Sequence, residues 1–194
     1  MLISLIHATR GRPERCLEVR QEWLDKSTTP DLVEHTFAVD ADDPESIDAA
    51  QPFRRVIVLP PRGCFRAYNH AAIVSTGEMI IPIEDDLHPD VGWDDLVREA
   101  MGPHMEQPAL LAVTDGQNTC IEWAANRRFY EARGRYNDDY YGLFGDTELR
   151  LREGHAQVNA RRRAGRPVPL ALRVLDSQYR RGREAAAAEE VPAA

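Results

Sequence analysis

Three consecutive acids, Glu84-Asp85-Asp86, follow directly on the apolar run Ile80-Ile81-Pro82-Ile83. Carboxylates at adjacent positions repel one another, and burying one without a partner is costly. Two resolutions are open. The triplet is either a solvated acidic loop or one side of a cation site. For the second, hard oxygen ligands favour Mg²⁺ or Mn²⁺, which pair one or two carboxylates with substrate phosphates. The β-branched run upstream reads as a buried strand, so the acids stand at a strand end, and Pro89 stops regular continuation.

The elements that must carry such a site follow from apolar patterning. Leu2 to His7 reads as a first strand, and the turn 8–13 leads into an amphipathic helix reaching about Lys26, with Cys16, Leu17, Arg20, Trp23 and Leu24 on one face. Residues 34–39 form a second strand ending at Asp40, and residues 55–59 a third. A helix is expected over 67–76, with Ala71, Ala72, Ile73 and Val74 inward and Gly77 as its C′ stop. Then come the acidic strand, a helix over 93–101 with Asp94 and Asp95 in its first turn, and a strand over 109–114. Residues 116–145 are turn-rich and aromatic with no clean period, and 147–154 reads as a helix. Strand and helix alternating in this way imply a three-layer α/β domain with a mostly parallel sheet, helices on both faces and right-handed crossovers. Ligands in such sheets bind at the carboxyl ends of the strands. Thr9-Arg10-Gly11-Arg12, Asp40 and the acidic triplet all fall on that edge.

The bulk properties narrow the function. A chain of 194 residues with 43% hydrophobic and 29% charged residues suits one soluble domain, here 1–158. Residues 159–194 form an Arg/Ala-rich extension expected to be partly helical and then disordered. A net charge of −8 argues against general nucleic-acid binding. Lys26 is the only lysine, so phosphate contacts fall to arginine forks, backbone N–H groups or a metal, and no Gly-Lys-Ser/Thr P-loop exists. Three scattered cysteines, no apolar run long enough to span a membrane and no basic leader fit a cytoplasmic setting.

Several motifs in order carry a resemblance. The runs ISLIHATRGRP, HTFAVDADDP, Asn69 followed by STGEMIIPIEDDLHPDVGWDD, and GLFGDTELRLRE resemble the family 2-like glycosyltransferases of the GT-A fold over about residues 2–153. The resemblance implies a Rossmann-like GT-A domain and a hexosyltransferase-type enzyme moving a sugar from a nucleoside diphosphate to an acceptor hydroxyl, with inversion. That acceptor is unspecified: a glycan, or a hydroxyl linked to lipid, protein or nucleic acid. By the same resemblance Thr9 and Arg10 line the nucleotide pocket and Asp40 meets the base or ribose. The triplet stands as the DxD motif. Asp86 is its direct metal ligand, and Glu84 or Asp85 reaches the ribose or the metal's waters. Asp146 is the general base. Arg10, Arg12 or Arg66 would supply phosphate electrostatics beside Mn²⁺ or Mg²⁺, and Asn69 belongs to the same pocket.

Each role has a plainer rival. Asp40 also suits a turn, Asn69 an ordinary helix position, Asp146 an N-cap, and His88 a solvent-facing site. The chain departs from the family pattern at Glu84, where an aspartate is usual, and in the spacing of Arg66 and Asn69. It also has no histidine after His155. Two other classes remain as alternatives: a non-catalytic nucleotide-sugar-binding protein on the same fold, and a nucleotidyltransferase.

Overall fold

The computed structural model describes residues 1–114, 120–133 and 136–140. Its strands are β1 (Ile3–Thr9), β2 (Val33–Asp40), β3 (Val56–Leu59), β4 (Met79–Ile83), β5 (Leu110–Thr114) and β6 (Cys120–Asn126). The helices are α1 (Pro13–Asp25), α2 (Pro44–Ala50), α3 (Cys64–Val74), α4 (Trp93–Met101) and α5 (Arg127–Arg133). The sheet order is β3-β2-β1-β4-β6-β5. β1 to β4 are parallel, whereas β6 runs antiparallel to both β4 and β5. The sheet is therefore mixed and mostly parallel, with its order reversing between β1 and β4. Such a reversal opens a crevice at the carboxyl ends of the two strands.

Alternation along the strands supplies two cores. Ile3, Leu5, Met79, Ile81 and Ile83 face α1 and α4, meeting Val19, Trp23, Trp93, Val97 and Met101. Ile6, Ala38 and Ile80 face α3, meeting Phe65, Tyr68, Ala71 and Ala72 together with Trp123, Phe129 and Tyr136. Pro82 tolerates its central strand because β6 pairs with β4 only at Met79 and Ile80, so a residue without an N–H stands beyond that ladder. Two indoles brace the loop after β4. Trp23 and Trp93 meet edge to face at 4.8 Å, and Trp23 Nε1 donates to Leu87 O at 2.8 Å.

The structure differs from expectation at particular points. On α1, Val19 joins Cys16 and Trp23 in the buried stripe, while Leu17 and Leu24 are half-buried. α3 starts at Cys64 and exposes Ile73 and Val74, which the apolar pattern had placed inward. Gly77 is not a left-handed C′ residue; α3 ends at Ser75 in an extended conformation. Glycine is needed at 77 for close approach, since a Cβ there would lie 2.3 Å from Ser4 Oγ and 2.7 Å from Ser4 N. Its N–H donates to Ser4 Oγ at 2.8 Å, and Glu34 accepts from Ser4, Thr76 and Gly77 to tie the turn down. α2, β6 and α5 were not foreseen. No helix among the described residues is long and apolar enough to cross a membrane. The helix expected at 147–154 and the extension 159–194 lie outside the described residues.

Candidate donor site at the carboxyl edge of the sheet

The register brings the ends of β1, β2 and β4 together. His7 pairs with Phe37 and Ile83, and Thr9 with Val39, so Arg10 emerges beside Asp40 and Thr9 stands level with the acidic triplet. Asp85 of that triplet is buried, whereas Glu84 is half-buried and Asp86 is exposed. Both carboxylate oxygens of Asp85 are taken. His7 Nε2 meets Oδ1 at 2.9 Å, and Thr9 Oγ1 donates to Oδ2 at 3.1 Å. An ionised carboxylate only accepts, so His7 carries its proton on Nε2. Its Nδ1 faces His35 Nε2 at 3.3 Å. Burial, with His7 and Arg20 nearby, holds His35 well below the usual imidazole range and keeps it neutral.

α1 secures the same loop from the other side. Arg15 Nε donates to the Asp85 carbonyl at 3.0 Å, and its Nη2 donates to His88 Nε2 at 2.8 Å. His88 then presents Nδ1–H to Glu22 Oε2 at 2.5 Å. With both nitrogens so engaged, His88 is neither a solvent-facing residue nor placed to join a metal. Tyr68 of α3 donates to Ile83 O at 3.2 Å, bracing the last residue of β4.

The cationic side is organised by ion pairs. Arg10 Nη1 contacts Asp40 Oδ2 at 2.7 Å and Asp42 Oδ1 at 2.5 Å, and Nη2 contacts Asp42 Oδ2 at 2.9 Å. Hydrogen bonds that Arg10 donates to Asp42 and Asp40 raise its pKa further, and the same fork lowers that of Asp42. Asp43 caps α2 through Ser46 N–H and also accepts the Gly11 N–H at 2.6 Å. This locks the β1–α1 turn, where Gly11 has φ +66°, to the β2–α2 turn. Arg12 is exposed at the start of α1. Arg66 lies in the first turn of α3, its Nε buried with no hydrogen-bond partner among the described residues.

Asn69 is placed differently from the other expected residues. Its Nδ2 donates to Tyr136 O at 2.8 Å and to Asp138, and its Oδ1 accepts Tyr136 N–H at 3.1 Å. Here an amide side chain pairs with a backbone segment, as one strand pairs with another. Asp146 and His155 lie outside the described residues.

Among the described residues no three His, Cys, Asp or Glu side chains converge into a metal-binding group. A divalent ion bound mainly through a diphosphate needs fewer protein ligands than that. Asp86 suits such an ion, being exposed at the strand end with no hydrogen bond or ion pair among the described residues. Asp85 does not suit it, because its oxygens are turned inward. His7, Arg15, His35 and Asp43 were missed in the sequence, where nothing local marks a strand histidine as a partner for a residue 78 positions away.

No protein-family model and no curated protein matches the sequence. Solved structures do. The S. aureus TarS 1–349 complex with UDP aligns with TM-score 0.61 at 12% identity, over 75% of this chain and 53% of that one. TarS 1–349 alone aligns with TM-score 0.59 at 11% identity over the same shares. The mannosyltransferase PcManGT from Pyrobaculum calidifontis, in complex with GDP-Man and Mn²⁺, aligns with TM-score 0.54 at 16% identity, over 97% of this chain and 76% of that one. The chain spans about half the length of the TarS structures. At these identities the likeness establishes the fold, which is of the GT-A glycosyltransferase type.

Proposed function

We propose that this GT-A domain is a metal-dependent glycosyltransferase that transfers a sugar from a nucleoside diphosphate to an acceptor hydroxyl with inversion. The observation that carries the reading is the meeting of Thr9-Arg10, Asp40 and Glu84-Asp85-Asp86 at the point where the sheet order reverses. Asp86, with Glu84 beside it, would hold Mn²⁺ or Mg²⁺. The ion, when bound, neutralises the charge that develops on the diphosphate leaving group. Asp40 and the Arg10 turn face the nucleoside, and Arg10, Arg12 and Arg66 add positive charge for the phosphates. The acceptor oxygen attacks the anomeric carbon as the bond to the diphosphate breaks. Its proton passes to a carboxylate, assigned to Asp146 on the resemblance alone. TarS with UDP and PcManGT with GDP-Man and Mn²⁺ support a nucleotide-sugar donor.

Calorimetric titration of UDP and GDP with and without Mn²⁺ tests the reading. Metal-dependent binding is expected, with Asp86→Ala abolishing it while leaving the fold intact. Binding that ignores the metal, or no binding, overturns the assignment of the triplet. Asp146→Asn should stop transfer with donor binding retained.

A second reading, a nucleotide-sugar-binding protein without turnover, draws on one observation. Both Nη atoms of Arg10 are engaged by Asp40 and Asp42, so the end of its fork is turned toward protein carboxylates. Metal-dependent nucleotide binding with no release of sugar from any donor would select it.

A further inference from the structure

The three acids of the triplet have unlike surroundings, and the difference originates in β1. Asp85 is 7% exposed, its two oxygens held by His7 and Thr9, and its carbonyl is held by Arg15. Asp85 and Asp86 are the two central residues of a turn that Leu87 N–H closes on Glu84 O at 3.2 Å. Fixing Asp85 inward by its side chain and its carbonyl holds that turn in one place, and its neighbour Asp86 is the residue left exposed. His7 itself has no freedom to move. It is fully buried, stacked on Phe37 at 5.3 Å and set edge-on to His35.

We propose that His7 is a positioning residue: by holding the Asp85 carboxylate inside the sheet, it sets the direction in which Asp86 is presented at the crevice. Thr9 does the same from the second oxygen, so its hydroxyl serves the acidic loop rather than the nucleotide. The consequence for donor binding rests on the glycosyltransferase reading, whereas the pinning of the loop does not.

The two amide replacements of His7 separate this role from simple core filling. In His7→Gln the amide nitrogen reaches the place of Nε2 and can still donate to Asp85. In His7→Asn the amide ends near Nδ1, keeps a contact with His35 and loses Asp85. The full-length chain is compared by hydrogen exchange across 84–88 and by titration of UDP and GDP with Mn²⁺. His7→Asn is expected to speed exchange in the loop by about tenfold or more through local opening, with His7→Gln within about threefold of the parent. Mn²⁺-dependent nucleotide affinity should fall about tenfold in His7→Asn and recover in His7→Gln. Equal exchange in His7→Asn and the parent overturns the pinning. Faster exchange with unchanged Mn²⁺-dependent affinity overturns the link from His7 to Asp86. If the parent binds neither nucleotide with metal, the donor reading fails, and exchange alone still decides the pinning. Should His7→Asn not fold, Thr9→Val removes the other hydrogen bond in a residue of the same shape, and the same two readouts apply.

Discussion

Arg10 Nη1 lies 2.7 Å from Asp40 Oδ2, so two residues expected to face a nucleotide face each other. The pair joins the end of β1 to the end of β2, and Asp42 completes it with a bidentate grip. Bidentate pairs fix geometry as well as charge. One guanidinium thus offsets only part of the charge of two carboxylates on an edge that already carries the acidic triplet. A diphosphate approaching this edge meets either a partly compensated turn or, without Arg10, an uncompensated acidic one.

Arg10→Ala should therefore weaken Mn²⁺-dependent UDP or GDP binding by about five- to tenfold at low ionic strength, as expected for losing one nearby exposed charge. The deficit should shrink as salt screens the edge. Arg10→Lys keeps the charge but not the fork, and should fall between the two. Calorimetry at two salt concentrations reads this out. Affinity unchanged in Arg10→Ala would confine Arg10 to holding the Asp40–Asp42 turn.

Asn69 gives a prediction about stability. Its amide satisfies both the N–H and the C=O of Tyr136, and at 5% exposure water cannot replace it. Asn69→Ala removes two buried hydrogen bonds to Tyr136 and should cost about 2 kcal/mol in urea unfolding, at about 1 kcal/mol for each. Asn69→Asp should fare no better, since it cannot donate to Tyr136 O and places a charge beside Asp138. Nucleotide affinity of the folded Asn69→Ala protein should stay within about twofold of the parent if the side chain only joins α3 to 136–138. A larger fall would return Asn69 to the donor pocket.

The parallel strands were legible because buried β-branched runs ending in turn residues leave little ambiguity, and α1 and α4 because their apolar faces recur at helical spacing. α2 escaped notice because Pro44–Ala50 is one short segment with Ile47 as its sole large apolar residue. β6 and α5 were lost in an aromatic stretch whose partners, Met79 and Ile80 of β4, lie far back in the chain. Gly77 was visible as a glycine after a helix, but a left-handed stop and a close approach to Ser4 look alike in sequence. The acidic triplet was also visible. Which acid turns inward was not, because that depends on His7 and Thr9 at a register only the folded sheet sets. The contact of Asn69 with Tyr136 was not legible either, because Tyr136 sits in a stretch without a pattern.

Asp94 links stability to pH. Its side chain is fully buried in the first turn of α4, where it accepts from Thr28 N–H at 2.8 Å and Thr29 N–H at 3.1 Å. Thr28 Oγ1 at 3.1 Å, Thr29 Oγ1 at 2.8 Å and Arg98 Nη1 at 2.6 Å also donate to it. Burial alone would raise its pKa, but the donors from Thr28, Arg98 and Thr29 outweigh it and hold the carboxyl well below the usual range. A pKa depressed on folding stabilises the protein above the unfolded value of about 4, and that contribution fades as pH falls through the folded value. Asp94→Asn should therefore cost about 2–3 kcal/mol near neutral pH, as for the loss of hydrogen bonds to a charged group. The gap from the parent should narrow below about pH 4, where Asp94 of the unfolded parent chain takes up a proton while that of the folded chain still does not. Urea unfolding of both proteins at pH 7, 5 and 3 measures it. A gap that stays constant over that range would show that the Asp94 charge contributes nothing beyond its shape.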